Sequence, residues 1–294
     1  MGMTYLITGG TGSFGQRCCQ VLLSKGDTHK VIIFSRDEWK QHEMSQRITD
    51  ERVRYFLGDV RDLSRLRRAF RGVDTVIHAA ALKQVPALEY NPAEGVKTNI
   101  NGAHNVIEAV ADAGVMRVIA LSTDKAVNPI NLYGATKLVA EKLFLRARVY
   151  GKARYYVVRY GNVIGSRGSV LQTWLQQKQA GKPLTITDTR MTRFWLTLDD
   201  AIAFALRYDH SSDHVNVPCL MGFAVADLAT VIFPGGAREV VGIRPGEKLH
   251  EMLRTQEECE QLGLNHAEYR SDTAPRMTQA EIQEALWTSG LYGR

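Results

Sequence analysis

The sequence is poor in the features that would place a chain in a membrane, outside the cell or on nucleic acid. No apolar run approaches the roughly 20 residues that a membrane-spanning helix needs. There are 4 cysteines, with Cys18 and Cys19 adjacent and no Cys-x-x-Cys pair. Neither a disulfide framework nor a zinc site is expected from them, so the thiols are read as reduced and no metal is predicted. The opening Met1-Gly-Met-Thr-Tyr-Leu-Ile-Thr8 lacks a signal-peptide charge pattern and enters a strand at once. Together these absences predict a cytoplasmic protein. Internal repeats, low-complexity segments and basic blocks of roughly five residues or more are also missing.

What remains is an ordinary globular composition, 45% hydrophobic and 23% charged over 294 residues. That length suits one large domain or one and a half. The formal net charge of +6 and pI near 9.1 come from basic residues interspersed with acids. Such an excess fits a basic cleft for an anionic small molecule, and neither nucleic acid nor a membrane is expected as a partner.

Strands and helices alternate through the first half. The apolar run Thr4–Thr8 meets Gly9-Gly-Thr-Gly12-Ser-Phe-Gly15, and a helical pattern follows with Phe14, Cys18, Val21 and Leu22 on one face. Strand, glycine turn and helix in that order form a dinucleotide fingerprint, with Gly9, Thr11, Gly12, Ser13, Phe14 and Gly15 around the pyrophosphate. A second strand, Lys30–Phe34, ends in Ser35-Arg36. A small hydroxyl followed by a guanidinium suits a 2′-phosphate and so predicts NADP. The third strand, Val53–Leu57, leads to Asp59 and Val60, an acceptor and an apolar contact for adenine. The fourth, Asp74–His78, leads to Ala79, Ala80 and Ala81, against which a cofactor can lie, and to Lys83, which can reach cofactor or substrate. A long helix is expected from Pro92 to Gly114, with Val96, Ile100, Ala103, Ile107 and Val110 as its apolar seam.

The fifth strand, Val118–Leu121, runs into Ser122-Thr123-Asp124-Lys125. Pro129 then enforces a loop. Tyr133 and Lys137 follow, four residues apart on one helical face, in a helix reaching about Tyr150. A phenol, an ammonium, a hydroxyl and a carboxylate converge on the end of one strand, which is equipment for moving protons. With a sixth strand at Arg154–Tyr160, the pattern is α/β: a doubly wound parallel (Rossmann) sheet, ligand at the carboxyl ends of its strands. Residues 1–165 are read as the NADP-binding domain, with segments around 193–220 returning to it. Residues 166–294 are read as mainly a smaller, mixed substrate-binding domain. There Arg190, Arg193, Arg244 and Lys248 are candidates for a diphosphate, with Arg193 and Arg244 preferred at turn-rich junctions.

Gly9-x-x-Gly12-x-x-Gly15 with Tyr133-x-x-x-Lys137 resembles the extended short-chain dehydrogenase/reductases, most of which act on nucleotide sugars. Further runs resemble the soluble inverting UDP-N-acetylglucosamine 4,6-dehydratases that begin pseudaminic acid synthesis. They include Thr8–Gly15, Ser35–Glu38, Phe56–Asp62, His78–Pro86, Lys97–Gly102, Ser122–Lys125, Asn131–Lys137, Arg159–Val163 and Arg244–Glu251. The likeness covers residues 4–255. It weakens in the tail from Thr255, and the chain is shorter than the family's usual length after about residue 205.

The resemblance implies an internal redox cycle with NADP: oxidation at C4, loss of water across C5 and C6, and return of hydride to C6. Thr123, Tyr133 and Lys137 would then serve the oxidation, Lys125 would be the C5 base and Asp124 the C6 acid. As a base, Lys125 must be neutral, so its pKa is expected to be depressed by burial or by Lys137. Related retaining dehydratases of thymidine-linked sugars carry Asp-Glu where this chain has Asp124-Lys125. Asn162, Arg193, Arg244 and Glu247, with Lys83, would hold the UDP-sugar, and a dimer or higher homo-oligomer is implied. A nucleotide-sugar 4-epimerase, a dehydratase that epimerises C5, and a non-catalytic NADP sensor are the alternatives.

Overall fold

The computed structural model describes residues 2–166, 169–207, 209–264 and 267–291. Its principal feature is a six-stranded, wholly parallel sheet in the order β3-β2-β1-β4-β5-β6. The strands are β1 (Met3–Thr8), β2 (Thr28–Ser35), β3 (Val53–Leu57), β4 (Thr75–His78), β5 (Arg117–Leu121) and β6 (Arg154–Val158). Between them lie α1 (Ser13–Leu23), α2 (Glu38–Arg47), α3 (Leu63–Ala69), α4 (Val85–Tyr90), α5 (Pro92–Gly95), α6 (Gly102–Ala113) and α7 (Leu132–Arg146). Helices cover both faces of such a sheet, so its strands read as near-continuous apolar runs. Leu6, Ile7, Ile33, Val76, Ile77 and Val118 are accordingly buried. The doubly wound parallel sheet expected from the alternation is the fold observed.

One expected helix differs. Residues 92–113 are helical, but Val96–Asn101 form a π-helical turn between α5 and α6. Within this turn Asn99 is buried and turns its carboxamide to its neighbours. Its Oδ1 accepts from Leu82 N at 2.8 Å, and its Nδ2 donates to Leu82 O at 2.9 Å and Thr136 Oγ1 at 3.0 Å. Gly114, at φ 71°, then ends α6 in the left-handed conformation that glycine adopts without strain.

The chain divides into two compact units. The first holds residues 1–122, 132–159 and 202–216, and therefore the large sheet. The second holds residues 123–131, 160–201 and 217–294. It contains α8 (Val170–Gln179), β7 (Leu184–Ile186), β8 (Thr192–Phe194), the start of α9 (Leu198–Ala205), β9 (Gly222–Ala224), α10 (Val225–Ile232) and β10 (Arg238–Val240). After these come β11 (Met252–Arg254), α11 (Gln256–Gln261), β12 (Tyr269–Arg270) and α12 (Gln279–Thr288). Its strands pair two by two, β7 with β10, β8 with β9 and β11 with β12. Trp174, Phe223, Leu228, Ile232, Ile282 and Leu286 form its core. Among the described residues no helix is long and apolar enough to cross a membrane, and no group of three or more His, Cys, Asp or Glu could hold a metal ion. All 4 cysteines are free.

Candidate active site

The turn after β1 is built so tightly that side chains are excluded from it. Gly9 sits at φ 65°, and a Cβ there would lie 2.9 Å from the Ala80 backbone. A Cβ on Gly15 would lie 2.5 Å from Gly10. The loop thus packs directly on the end of β4, where Ala79 N and Ala80 N donate to Thr8 O and Thr8 Oγ1. Gly12 caps α1 without a side chain, leaving the helix N-terminus open to an anion, with Thr11 buried beside it and Ser13 and Phe14 starting the helix. These residues fit a dinucleotide pyrophosphate.

Along the same edge, Gln41 Nε2 donates to both Ser35 O and Ser35 Oγ, each at 3.0 Å. Arg36 is about half exposed and stands 3.8 Å from Asp59 Oδ2. Asp59 also accepts from Arg61 at 2.7 Å, and these cations hold its carboxyl below the usual range although burial pulls the other way. Val60 is buried, while Lys83 is exposed.

Helix α7 carries Tyr133, Lys137 and Glu141 at four-residue intervals, hence on one face. Lys137 is buried and donates from Nζ to Leu121 O at 2.7 Å. Burial draws its pKa down to about 8, against an upward pull from Glu141. Glu141 in turn accepts from Arg159 at 2.9 and 2.7 Å and from Ser122 Oγ at 2.5 Å. Both members of that ion pair are almost wholly buried. His78, hydrogen-bonded to Thr8 Oγ1 at 2.9 Å, is pushed down to about 3 by burial and then by Lys137, so it is neutral.

The segment between β5 and α7 belongs to the second unit and gathers a different set. Thr123 Oγ1 donates to Asp124 Oδ1 at 2.8 Å, so its proton points to that carboxylate. Lys125 Nζ donates to Asp124 Oδ1 at 3.0 Å, Asn162 Oδ1 at 2.9 Å and Glu251 Oε1 at 3.4 Å. The expected depression of the Lys125 pKa is not found. Burial does oppose its charge, but Asp124 and Glu251 outweigh burial and raise the pKa above the ordinary lysine value. At rest Lys125 is an ammonium.

Of the residues assigned to the sugar nucleotide, Asn162 joins this cluster. Arg193 has its guanidinium turned to protein carbonyls, donating to Thr192 O at 2.7 Å, Leu249 O at 3.2 Å and Lys248 O at 3.2 Å. Arg244 and Glu247 form a turn, with Glu247 N donating to Arg244 O and Arg244 N to Glu247 Oε2. Lys248 Nζ donates to Val127 O, and Arg190 pairs with Asp188. Glu251, Asn99 and the Glu141–Arg159 pair were not singled out from sequence. The signal available was the position of Glu251 at the end of the run Arg244–Glu251 and of Asn99 within Lys97–Gly102.

Residues 5–271 match the family model described as polysaccharide biosynthesis protein. The chain belongs to this family. Within it, a UDP-N-acetylglucosamine 4,6-dehydratase (inverting) of Campylobacter jejuni is 51% identical over 259 residues, which cover 86% of this chain and 77% of that protein. A UDP-glucose 4-epimerase of Rickettsia bellii is 41% identical over 292 residues, covering 90% of this chain and 86% of that one. The X-ray structure of Pen from Bacillus thuringiensis superposes with a TM-score of 0.92 at 32% identity, over 97% of each chain. The resemblance read from the motifs is therefore supported across most of the family's length.

Proposed function

We propose that the chain is an NADP-dependent UDP-N-acetylglucosamine 4,6-dehydratase that inverts C5. Its product would be a UDP-2-acetamido-2,6-dideoxy-L-hexos-4-ulose, a precursor of pseudaminic acid or a related deoxyamino sugar. The observation that carries this reading is the pair of buried Asp124 and part-exposed Lys125, a proton-transfer device that hydride transfer alone does not require. The family relationship to an inverting dehydratase at 51% identity supports it.

Bound NADP would supply the hydride chemistry, accepting hydride from C4 and giving it to C6. The glycine loop holds its pyrophosphate, and Arg36 at the end of β2 answers its 2′-phosphate where an NAD site would place a carboxylate. Tyr133 takes the C4 hydroxyl proton, aided by the charge on Lys137. Elimination then breaks C5–H and C6–O, forms the C5–C6 double bond and releases water. It needs one proton acceptor and one donor. Asp124 and Lys125 would supply one of each, Lys125 as the acceptor at C5 once its own proton has left and Asp124 as the donor at C6. A solvent-derived proton delivered to the opposite face of C5, while the acceptor releases to solvent the one it took, would give the L configuration.

Incubation with UDP-N-acetylglucosamine tests the proposal. The expected product is lighter by one water, carries a 4-keto group and, in deuterated water, contains deuterium at C5. Asp124→Asn and Lys125→Ala should lose elimination by a factor of about a hundred or more while retaining fold and bound NADP. Formation of a C4 epimer of unchanged mass would favour the epimerase reading that the Rickettsia relative represents.

A further inference from the structure

Helix α7 is fastened to the sheet through two consecutive residues at the end of β5. Lys137 Nζ donates to Leu121 O at 2.7 Å, and one helical turn later the Glu141 carboxylate accepts from Ser122 Oγ at 2.5 Å. Ser122 N donates in turn to Val158 O at 2.7 Å, which holds that serine against β6. The same carboxylate takes two parallel bonds from Arg159, the residue after β6: Nε to Oε1 at 2.9 Å and Nη2 to Oε2 at 2.7 Å. Arg159 N donates to Asn216 O at 2.9 Å, so the backbone under the guanidinium is anchored as well. One side chain of α7 therefore joins the carboxyl ends of β5 and β6, the edge at which a doubly wound sheet holds its ligands.

A buried ion pair is a demanding way to pack a helix. Glu141 is 2% exposed and Arg159 1%, and apolar residues of similar volume often hold such a place at equal or greater stability. Apolar packing tolerates rearrangement, and it loses a unique arrangement before it loses stability. A guanidinium forked onto a carboxylate fixes direction as well as distance. Glu141 lies one turn from Lys137 and two from Tyr133, on the face that all three share. A displacement of about 1 Å in such groups can slow a reaction by on the order of a hundredfold.

We propose that Glu141 and Arg159 are positioning residues for Tyr133 and Lys137: their ion pair sets the height and roll of α7 on the strand ends, and so where the phenol and Nζ stand. In the dehydratase reading on which this rests, those two groups serve the oxidation at C4.

The test removes both charges together, in Glu141→Met/Arg159→Met, so that neither is left buried alone. Urea unfolding measures stability, and stopped-flow absorbance follows reduced nicotinamide as NADP-loaded protein meets UDP-N-acetylglucosamine. The double variant should unfold at a urea concentration no lower than wild type. Its hydride step should be slower by about tenfold or more, at an unchanged half-saturating substrate concentration. Its crystal structure should show Lys137 Nζ displaced from Leu121 O. Ser122→Ala, which removes a single hydroxyl, should slow the same step by a smaller factor. A folded double variant that keeps the Lys137–Leu121 bond overturns the proposal, and so does one that keeps the wild-type rate. If the double variant does not fold, a wild-type rate in Ser122→Ala overturns it instead. Wild-type protein that forms no 4-keto sugar refutes the dehydratase reading alone, since the Lys137–Leu121 bond in the double variant still decides the role of the pair.

Discussion

Two lysines twelve residues apart in the sequence carry opposite perturbations, and the difference is one of company. Lys137 is buried beside a carboxylate that Arg159 already engages, so desolvation dominates and its pKa falls to about 8. Lys125 meets two carboxylates with unspent oxygens, so attraction dominates. The first has a stability consequence. An unfolded lysine titrates near 10.5 and this folded one near 8, so between those values the unfolded chain binds the extra proton and stability rises with pH. Below pH 8 the buried charge costs about 3 kcal/mol, partly offset by the bond to Leu121 O. Lys137→Met should therefore stabilise the fold by about 2 kcal/mol at pH 7, by denaturant unfolding, with the gain shrinking toward pH 10. Under the proposed function the same variant should lose C4 oxidation, seen as absence of transient reduced-nicotinamide absorbance on mixing with substrate. The spacing Tyr133-x-x-x-Lys137 was legible because four residues make one helical face. The charge state of Lys125 was not, because Glu251 lies 126 residues away and its approach is a property of the folded second unit.

At the scale of elements, the π turn at Val96–Asn101 links three parts of the first unit through one side chain. Asn99 ties the loop after β4, at Leu82, to α7, at Thr136, one residue before Lys137. Replacement by alanine leaves a part-buried N–H and carbonyl without those partners. Asn99→Ala should cost about 1–3 kcal/mol in urea unfolding and weaken binding of a nicotinamide nucleotide, because the loop after β4 and α7 lose their common brace. Sequence periodicity could not show this turn, since the apolar spacing from Val96 to Val110 continues across it, although the structure leaves Val96 itself exposed rather than in the seam. A buried amide that bends a helix has no distinct spacing. The glycine loop was readable for the opposite reason. Its constraints at Gly9 and Gly15 are local, set by backbone within a few residues or by the adjoining strand end.

By unit, the residues proposed for hydride handling, Tyr133 and Lys137, belong to the first, and those proposed for proton handling, Asp124, Lys125 and Asn162, belong to the second. The parallel, doubly wound sheet followed from alternation alone, whereas its strand order did not. The second unit did not, because its short paired strands and turn-rich connections carry little periodicity. If both devices serve one sugar, substrate deuterated at C4 should give product with that deuterium at C6 and none in solvent, read by NMR. Release of the label to solvent would show that the two halves of the cycle are not coupled.

The chain leaves the first unit after Ser122 and rejoins it at Leu132, so nine residues, Thr123–Asn131, are lent to the second. Heredity can act on that excursion separately from the sheet that bears it. Under the proposed function, substitutions within it would change which protons move, while the glycine turn upstream and the helix of Tyr133 downstream stay under their own constraints. A lineage can therefore change its chemistry by rewriting a short interval, without rediscovering the fold.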